Sequence, residues 1–410
     1  MKKVTVMCAL GVLFLFSAAF KNIDVKFGGS LEQRMFSKVS LNFIAPTSSL
    51  NPADQKYTES IAKMNISMQR KPLSAFFEYK VNDYWGNTSK TDFLAADMAK
   101  YGANQYFIKY AANNLDAEVG RLHYKYGDGL ILDTYDRENF GLPGIYAGYY
   151  MEPVHFRALA FYNDSFDSAV YGVITGYEDR KNPKNRVNWD VYVFNERVPK
   201  YGTSRYFAGL RIDNKAAGTN FKKKSYLEYF KAFGNAAEDK KQKGGAFWAG
   251  FVTERKKEKG KSVVALNYGY GGYDKTADAD YDINTDFSHF GFGSIFREEQ
   301  LGKQKLTLGQ GLYKNHIINF QYENILDFGL ISGFSITHIQ RHPSGINSDG
   351  STWLRVLDIN NSVGNEFDFY FGFVYNDIRI QGLYGYLLPG SYIGTGSAAK
   401  KIEINLKVKL

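Results

Sequence analysis

The sequence predicts an all-β fold, a transmembrane antiparallel β-barrel of about 18 strands, within a range of roughly 16 to 20. The first observation is the final segment, 402–410, in which apolar and polar side chains alternate up to Leu410. Such a strand has one apolar and one polar face. This suits the closing strand of a barrel, whose outward face meets lipid and whose inward face meets water. Barrels of this kind usually end on an aromatic residue, and this chain ends on leucine.

The second observation is composition. The chain has 31 Tyr and 32 Phe, so that 16% of its residues are aromatic, and it has 40 Gly. Its mean hydropathy is nevertheless negative. A polar lumen combined with an apolar outer wall and aromatic girdles produces this balance. A secreted sandwich or propeller is the alternative, but a propeller should show a repeat, and the sequence has no repeated motif.

The third observation is the alternation within individual segments. In segment 366–375 every second residue from Phe367 to Tyr375 is aromatic, and Glu366 and Asp368 lie between them. We expect the phenylalanines to face lipid and the two acids to face the lumen. Similar alternation occurs in segments 64–69, 187–193 and 318–323.

Domain organisation is simple. Residues 1–19 have the charged start, apolar run and small-residue exit of a secretory signal peptide, and a membrane anchor is the alternative. Cys8, the one cysteine, lies in that run, so the mature chain is expected to have no disulfide and no thiolate chemistry. Residues 20–410 are predicted to form one outer-membrane barrel. Thr91 or Asp92 is placed to cap a helix over 93–100, as a lumen plug or a loop decoration.

One segment carries a family resemblance. The motif Val119-Gly120-Arg121 and the turn Tyr126-Gly127-Asp128, within a match over 115–165, resemble the alginate export porin family. That family often opens its next strand with Phe-Asp-Gly, where this chain has Phe-Gly-Leu-Pro-Gly from Phe140. The resemblance implies export of an anionic polysaccharide through an outer-membrane channel. It also implies an anionic solute or polysaccharide and a periplasmic export apparatus as partners. Outer-membrane lipids and lipopolysaccharide are expected partners of the barrel surface.

Candidate lumen residues follow from strand parity. If Leu122, Tyr124 and Tyr126 face lipid, their neighbours in the chain face the lumen, and a bulge near Gly120 accommodates the opposite parity of 116–119. Arginine binds carboxylates through a fixed fork, so basic residues on the inner wall attract anions. Alternatively, these cations pair with lumen acids across the barrel. The candidate substrate-binding residues are Arg121, His123, Lys125, Arg157, Arg211, Lys109 and Arg379; the candidate acids are Glu78, Asp190, Glu323, Glu366 and Asp368.

Net charge supports an anionic partner only modestly. The chain carries a formal charge of +9, and loss of the two lysines of the signal leaves roughly +7. Loop lysines such as 222–224, 240, 241 and 243 are typical of a solvated surface or of lipopolysaccharide contacts. No nucleic-acid motif occurs, so membrane surface or anionic solute is the expected partner.

Enzymatic and metal sites find little support. His338 and His342 have no adjacent third ligand, and the acidic loop with Asp128, Asp133, Asp136 and Glu138 does not have EF-hand spacing. His289 beside Ser288, or His123 near Asp128, has the residue types of a barrel lipase or protease, but no nucleophile elbow accompanies them. The sequence therefore favours a passive channel in the outer membrane, without metal or cofactor. A barrel hydrolase, a general diffusion porin and a structural barrel remain the alternatives.

Overall fold

The structure is a computed structural model. It describes residues 23–39, 55–87, 99–134, 140–163, 167–179, 184–237, 240–273, 300–301, 306–307, 315–341, 362–390 and 398–410. The predicted signal peptide and the greater part of the predicted helix lie outside these residues. Ala99 and Lys100, at the end of that predicted helix, instead begin a strand.

The described residues form strands joined by turns, with one 3₁₀ turn at Pro199–Tyr201. The strands are β1 Asp24–Val39, β2 Gln55–Arg70, β3 Leu73–Asn87, β4 Ala99–Ala112, β5 Leu115–Leu122, β6 Leu142–Met151, β7 Val154–Asn163, β8 Ser168–Glu178, β9 Asn185–Val198, β10 Thr203–Ala217, β11 Phe221–Ala237, β12 Lys240–Lys257, β13 Gly260–Tyr273, β14 Gln300–Leu301, β15 Leu306–Thr307, β16 Asn315–Leu326, β17 Leu330–Arg341, β18 Ser362–Tyr375, β19 Ile378–Pro389 and β20 Ala399–Lys409. Within these residues no helix is long and apolar enough to cross a membrane.

Eighteen of these strands form one closed antiparallel sheet, and β14 and β15 form a separate hairpin. Each barrel strand pairs with its neighbours along the chain, and β1 closes the cylinder by pairing with both β2 and β20. At the end of the seam, Gly29 and Leu410 exchange backbone hydrogen bonds of 3.1 and 2.9 Å. The predicted strand count and the predicted pairing of the C-terminal strand with an N-terminal one are both confirmed.

The two rims of the barrel differ. At one rim the connections are short, with two-residue turns at 71–72, 113–114, 152–153, 258–259 and 376–377. We call this the short-turn rim, and the opposite one the long-connection rim, where 40–54 and 342–361 join successive strands. In outer-membrane barrels the short turns face the periplasm and the long loops face outward from the cell.

The facing predicted for β18 is confirmed. Phe369, Phe371 and Phe373 are 53%, 61% and 38% exposed, whereas Glu366 and Asp368 are 0% and 5% exposed. Phe367, on the same face as the other phenylalanines, is half-buried. The exposed apolar side chains alternate with buried ones along strand after strand, so that the barrel presents an apolar outer wall.

This outer wall generates a prediction about depth. We expect Phe369→Lys, near the middle of β18, to lower the free energy of unfolding in lipid vesicles by about 2 to 4 kcal/mol, because it places a charge in hydrocarbon. Tyr375→Lys, on the same face at the short-turn rim, is the matched control and should cost only about 0 to 1 kcal/mol. Equal losses in denaturant titrations of the two variants would contradict the assigned membrane face.

Candidate functional site

The chain leaves the barrel wall after β5 and folds into the lumen. Residues 123–134, which we call the lumen segment, form a narrow reversed loop: the Tyr126 amide donates to the Leu132 carbonyl, and the Thr134 amide donates to the Tyr124 carbonyl, both at 2.9 Å. Lys125 Nζ donates to Asp133 Oδ2 at 2.9 Å, across the same loop. These bonds satisfy backbone groups that no barrel strand pairs.

Aromatic packing holds the lumen segment against the inner wall. The Tyr124 ring lies 5.3 and 5.6 Å from the rings of Tyr146 and Phe161, on β6 and β7. The Tyr126 ring lies 5.1 and 5.6 Å from the rings of Tyr192 and Phe194, on β9. Residues 130–132 of the segment are completely buried in the same apolar cluster. Burial of each such side chain stabilises the folded state by roughly 1.5 to 3 kcal/mol.

The prediction that Leu122, Tyr124 and Tyr126 face lipid is therefore wrong. Leu122 and Tyr126 are 1% and 3% exposed and belong to the buried apolar cluster inside the barrel. Leu122, the last residue of β5, has the inward parity of Glu118. The lumen segment is no strand of the wall, so period-two parity does not apply to Tyr124 and Tyr126. Its apolar side chains instead cover the apolar inner face of β6 to β9.

An ionic tether fixes the tip of the lumen segment. Asp128 accepts hydrogen bonds from Arg211 Nη2 at 3.0 Å and from Lys224 Nζ at 3.3 Å. Arg211 also donates to Glu228 and Asp213 at 2.7 Å. The tip therefore joins β10 and β11 through charge-assisted bonds, which are stronger than neutral ones.

The turn residues suit this tether. Gly127 has φ of 58°, and a Cβ there would lie 2.5 Å from Arg211 Nη1. Gly129 has φ of 88°, and a Cβ there would lie 2.7 Å from Asp133 Oδ2. Only glycine avoids both the left-handed strain and the clash at these positions. The Tyr-Gly-Asp-Gly sequence is thus explained by close approach of the segment backbone to charged side chains.

Protonation in the lumen segment follows from burial and neighbours. Burial alone would raise the pKa of Asp128, but Arg211 and Lys224 outweigh it and lower that pKa below its usual value. Burial lowers the pKa of His123, whose Nδ1 lies 2.9 Å from the Thr134 carbonyl oxygen. Near neutral pH the tether is consequently charged and the histidine ring is neutral.

Arg121 does not lie on the lumen face, contrary to prediction. It is directly opposite Tyr106 and Pro143 in the sheet, and Tyr106 is 47% exposed on the outer wall. Directly opposite residues share a face. Val119 is also exposed and outward, so parity continues from 115 to 122 and the register shows no shift. Gly120 has φ of 141°, but it does not reverse the facing of its neighbours.

The other predicted substrate-binding residues face the lumen and differ in whether they form ion pairs there. Lys109 pairs with Glu118 at 2.7 Å and with Asp116 at 3.1 Å. Arg157 lies over the Tyr150 ring at 5.9 Å, and Arg379 donates to Gln381 at 2.9 Å. Neither of these two arginines forms an ion pair with another described residue. Lys125, His123 and Arg211 belong to the lumen segment or its tether.

Arg211 illustrates the alternative of pairing with lumen acids, since three carboxylates surround it. Of the predicted acids, Asp190 accepts from the Tyr126 hydroxyl at 3.2 Å and lies 2.8 Å from His155 Nε2. Asp368 accepts from Ser335 at 3.2 Å, and Glu78 accepts from Asn104. Arg211 and these three carboxylates thus have specific partners.

The sequence reasoning missed a row of basic residues, one of which, Lys224, it assigned to a loop although it lies in β11. Arg186, Lys215 and Lys224 are direct cross-strand partners on β9, β10 and β11. They share the parity of the inward residues Tyr192 and Arg211, so they line the inner wall within a few residues of the short-turn rim. Lys224 bonds to Asp128, whereas Arg186 and Lys215 form no ion pair with described residues. The alternation in β9 was visible in the sequence, but the row depends on the register between strands.

The metal hypotheses find no supporting geometry in the described part of the chain. There, no group of three or more His, Cys, Asp or Glu is arranged to hold a metal ion. His338 bonds to Asn365 at 2.9 Å, and Asp128 and Asp133 are engaged in ion pairs. His342, His289, Ser288, Asp136 and Glu138 lie outside the described residues.

Neither a family model nor a curated protein matches this chain. Solved structures do match. The outer membrane protein OpdK from Pseudomonas aeruginosa aligns with a TM-score of 0.60 at 12% identity, covering 94% of this chain and 98% of that one. OccK9 (OpdG) from Pseudomonas aeruginosa gives 0.62 at 10% identity over 94% and 98%. A BenF-like porin from Pseudomonas fluorescens Pf-5 gives 0.59 at 10% identity over 94% and 99%.

OpdK has also been solved with vanillate, and that structure aligns with a TM-score of 0.55 at 11% identity over 94% of this chain and 98% of that one. At these identities the similarity is one of fold. The fold is that of an outer-membrane porin, and the closed sheet with its apolar outer wall places this protein in an outer membrane.

Proposed function

We propose that this protein is a passive outer-membrane channel with a preference for small anionic solutes. The observation that carries the proposal is the row of Arg186, Lys215 and Lys224 on the inner wall. Like charges directly opposite in a sheet destabilise it. Three such residues side by side, two of them without a carboxylate partner among the described residues, are therefore suited to a mobile anion rather than to folding.

The position of the row suits attraction without tight binding. It lies at the short-turn rim, where water reaches the lumen, and Lys215 is exposed. Conduction requires that a solute enter readily and leave readily. Exposed and screened cations raise the local concentration of anions while holding none of them strongly.

Arg157 extends this basic surface deeper into the barrel. Its Nε atom is buried and has no hydrogen-bond partner, and its guanidinium lies over the Tyr150 ring. An arginine with unsatisfied donors beside aromatic rings suits a carboxylate attached to an apolar or aromatic body. The vanillate bound by OpdK, an aromatic carboxylate, belongs to the class of solute that we propose for this channel.

The lumen segment favours small solutes over a polysaccharide in this proposal. The lumen segment occupies the side of the barrel lined by β6 to β11, where aromatic packing and the Asp128 tether fix it. A polymer chain would have to pass beside this fixed segment along its whole length. Export of an alginate-like polysaccharide, implied by the resemblance at 115–165, is therefore our second candidate, and it rests on that motif.

The first functional prediction concerns selectivity. Arg186→Gln combined with Lys215→Gln should reduce the anion-to-cation permeability ratio about fivefold, since two partly screened charges contribute on the order of 1 kcal/mol. Reversal potentials in planar bilayers under a salt gradient measure this ratio.

The matched control is Lys223→Gln combined with Arg255→Gln, which removes two exposed charges from the outward face at the same rim. This control should retain the wild-type ratio. If the lumen variant kept its selectivity, or if the control lost as much, the basic row would have no role in solute choice.

The second functional prediction concerns the tether. Asp128→Asn removes charge-assisted bonds, each of which contributes about 1.5 to 3 kcal/mol, while Arg211 keeps Glu228 and Asp213 as partners. We expect a larger and noisier single-channel conductance, because the tip of the lumen segment is released. The control is Glu254→Gln, which breaks the ion pairs of Glu254 with Lys222 and Lys261 at the short-turn rim. This variant should conduct as wild type does.

Acid should reproduce the Asp128→Asn phenotype. Because the folded-state pKa of Asp128 is lowered, the stability that the tether contributes is present above the unfolded pKa and is lost as pH falls through the folded value. A conductance that rises at low pH in wild type but not in Asp128→Asn is the expected result. An identical pH response in both proteins would contradict the tether.

A further inference from the structure

The outer wall of β9 to β11 carries charges of one sign. Among its described outward-facing residues, the charged side chains are Arg197, Lys223 and Lys231, and all three are exposed. Their neighbours of opposite parity face the lumen; Glu196, for example, pairs there with Arg205. Exposed cations on a lipid-facing wall are costly unless they reach the headgroup region or meet an anion there.

Two basic residues lie at the long-connection rim. Arg197 lies one residue from the end of β9, and Lys200 follows it in the 3₁₀ turn that joins β9 to β10. Lys231 lies deeper on β11, opposite Ala208. A lysine at this depth extends its ammonium along the wall toward the rim. Arg197, Lys200 and Lys231 together form what we call the outer basic patch.

Aromatic side chains mark the interfacial level of the patch. Tyr206 and Phe233 stack with centroids 5.6 Å apart and planes 13° apart, and both are exposed on the outer wall. They lie between Arg197 and Lys231 in the register of β9, β10 and β11. Lys200 lies over the Tyr201 ring at 5.5 Å. Aromatic girdles occupy the boundary between hydrocarbon and headgroups, so Arg197 and Lys200, on the rim side of this pair, are at headgroup depth. Lys231 lies two residues deeper than Phe233, and its long side chain reaches that level by extending past the pair.

The patch has donors that the protein does not use. Arg197 Nε donates to Asn195 Oδ1 at 3.0 Å, and this neutral contact leaves the guanidinium charge uncompensated. Neither Lys200 nor Lys231 forms an ion pair with a described residue. The outward-facing residues described for β9, β10 and β11 include no carboxylate. In the register, Lys231 lies two strand spacings across the sheet from Arg197 and four residues further along the strand direction. This corresponds to about 16 Å between their Cα atoms.

We propose that the outer basic patch binds a lipid whose headgroup carries phosphate, in the leaflet at the long-connection rim. Arginine presents paired donors to phosphate, and lysine adds a point charge. The spacing of Arg197 and Lys231, each with a long side chain, suits a headgroup with phosphates on both sides of the Tyr206 and Phe233 pair. The acyl chains then lie along the apolar wall formed by Val191, Val193 and Leu210, which are exposed.

The test uses the full-length barrel in detergent and a defined probe. A glucosamine disaccharide lipid with two phosphates, and the same lipid after phosphatase treatment, are titrated and counted by native mass spectrometry. Arg197→Gln combined with Lys231→Gln should weaken binding of the phosphorylated lipid at least tenfold. The dephosphorylated lipid should bind weakly to wild type and variant alike.

Lys223→Gln is the matched control, since it removes an outward cation from the same strand at the opposite rim. It should bind the phosphorylated lipid as wild type does, and thermal unfolding followed by circular dichroism should be unchanged in all variants. Retained affinity in the double variant, an equal loss in the control, or equal binding of both lipids would overturn the proposal. Displacement of the lipid by inorganic phosphate at matched phosphate concentration would also overturn it, by assigning the patch to the free ion.

Discussion

The backbone hydrogen-bond ladder is the constraint on which the rest of this structure depends. Hydrocarbon offers no partner to an amide or carbonyl group, so an open sheet edge in the membrane would cost several kcal/mol for each unpaired group. Closure through β1 and β20 removes that edge. The seam also carries ion pairs on its inner face: Arg34 pairs with Glu59, and Lys407 pairs with Glu32. Side-chain bonds thereby link β20, β1 and β2 where the ladder closes.

The sequence predicts the wall well because each wall residue meets either lipid or the lumen. Alternation in 366–375 therefore determines which side chains of β18 face outward, and the terminal alternation identifies the closing strand. The same rule fails at 123–134, where the chain leaves the wall, and Leu122, just before it, ends β5 with an inward side chain. The alternating Leu122, Tyr124 and Tyr126 resemble a lipid-facing stripe, but their apolar environment is the interior of the barrel. An alternating pattern indicates that one side of the segment contacts an apolar environment. That environment can be either lipid or the packed interior of the barrel.

Features that involve several strands are less accessible to sequence reasoning. Arg186, Lys215 and Lys224 are separated by many residues, and only the register between β9, β10 and β11 brings them into one row. Arg121 shows the converse case, because an apparent parity change at a glycine suggested a bulge that the register does not contain. Arg211 was expected at the lumen face, but its three carboxylate partners depend on tertiary contacts that no local pattern encodes.

The lumen segment has a mechanical consequence for the cylinder. It starts at the end of β5, and its Tyr126 and Asp128 bond to Asp190 on β9 and to Arg211 and Lys224 on β10 and β11. The segment is thus an internal brace across an arc of six or seven strands, which spans roughly 30 Å of the circumference at about 4.8 Å per strand. Lateral pressure from the bilayer tends to flatten a thin-walled tube. The braced arc resists that change of curvature, so any ovalisation of this barrel concentrates in the arc that the segment does not touch.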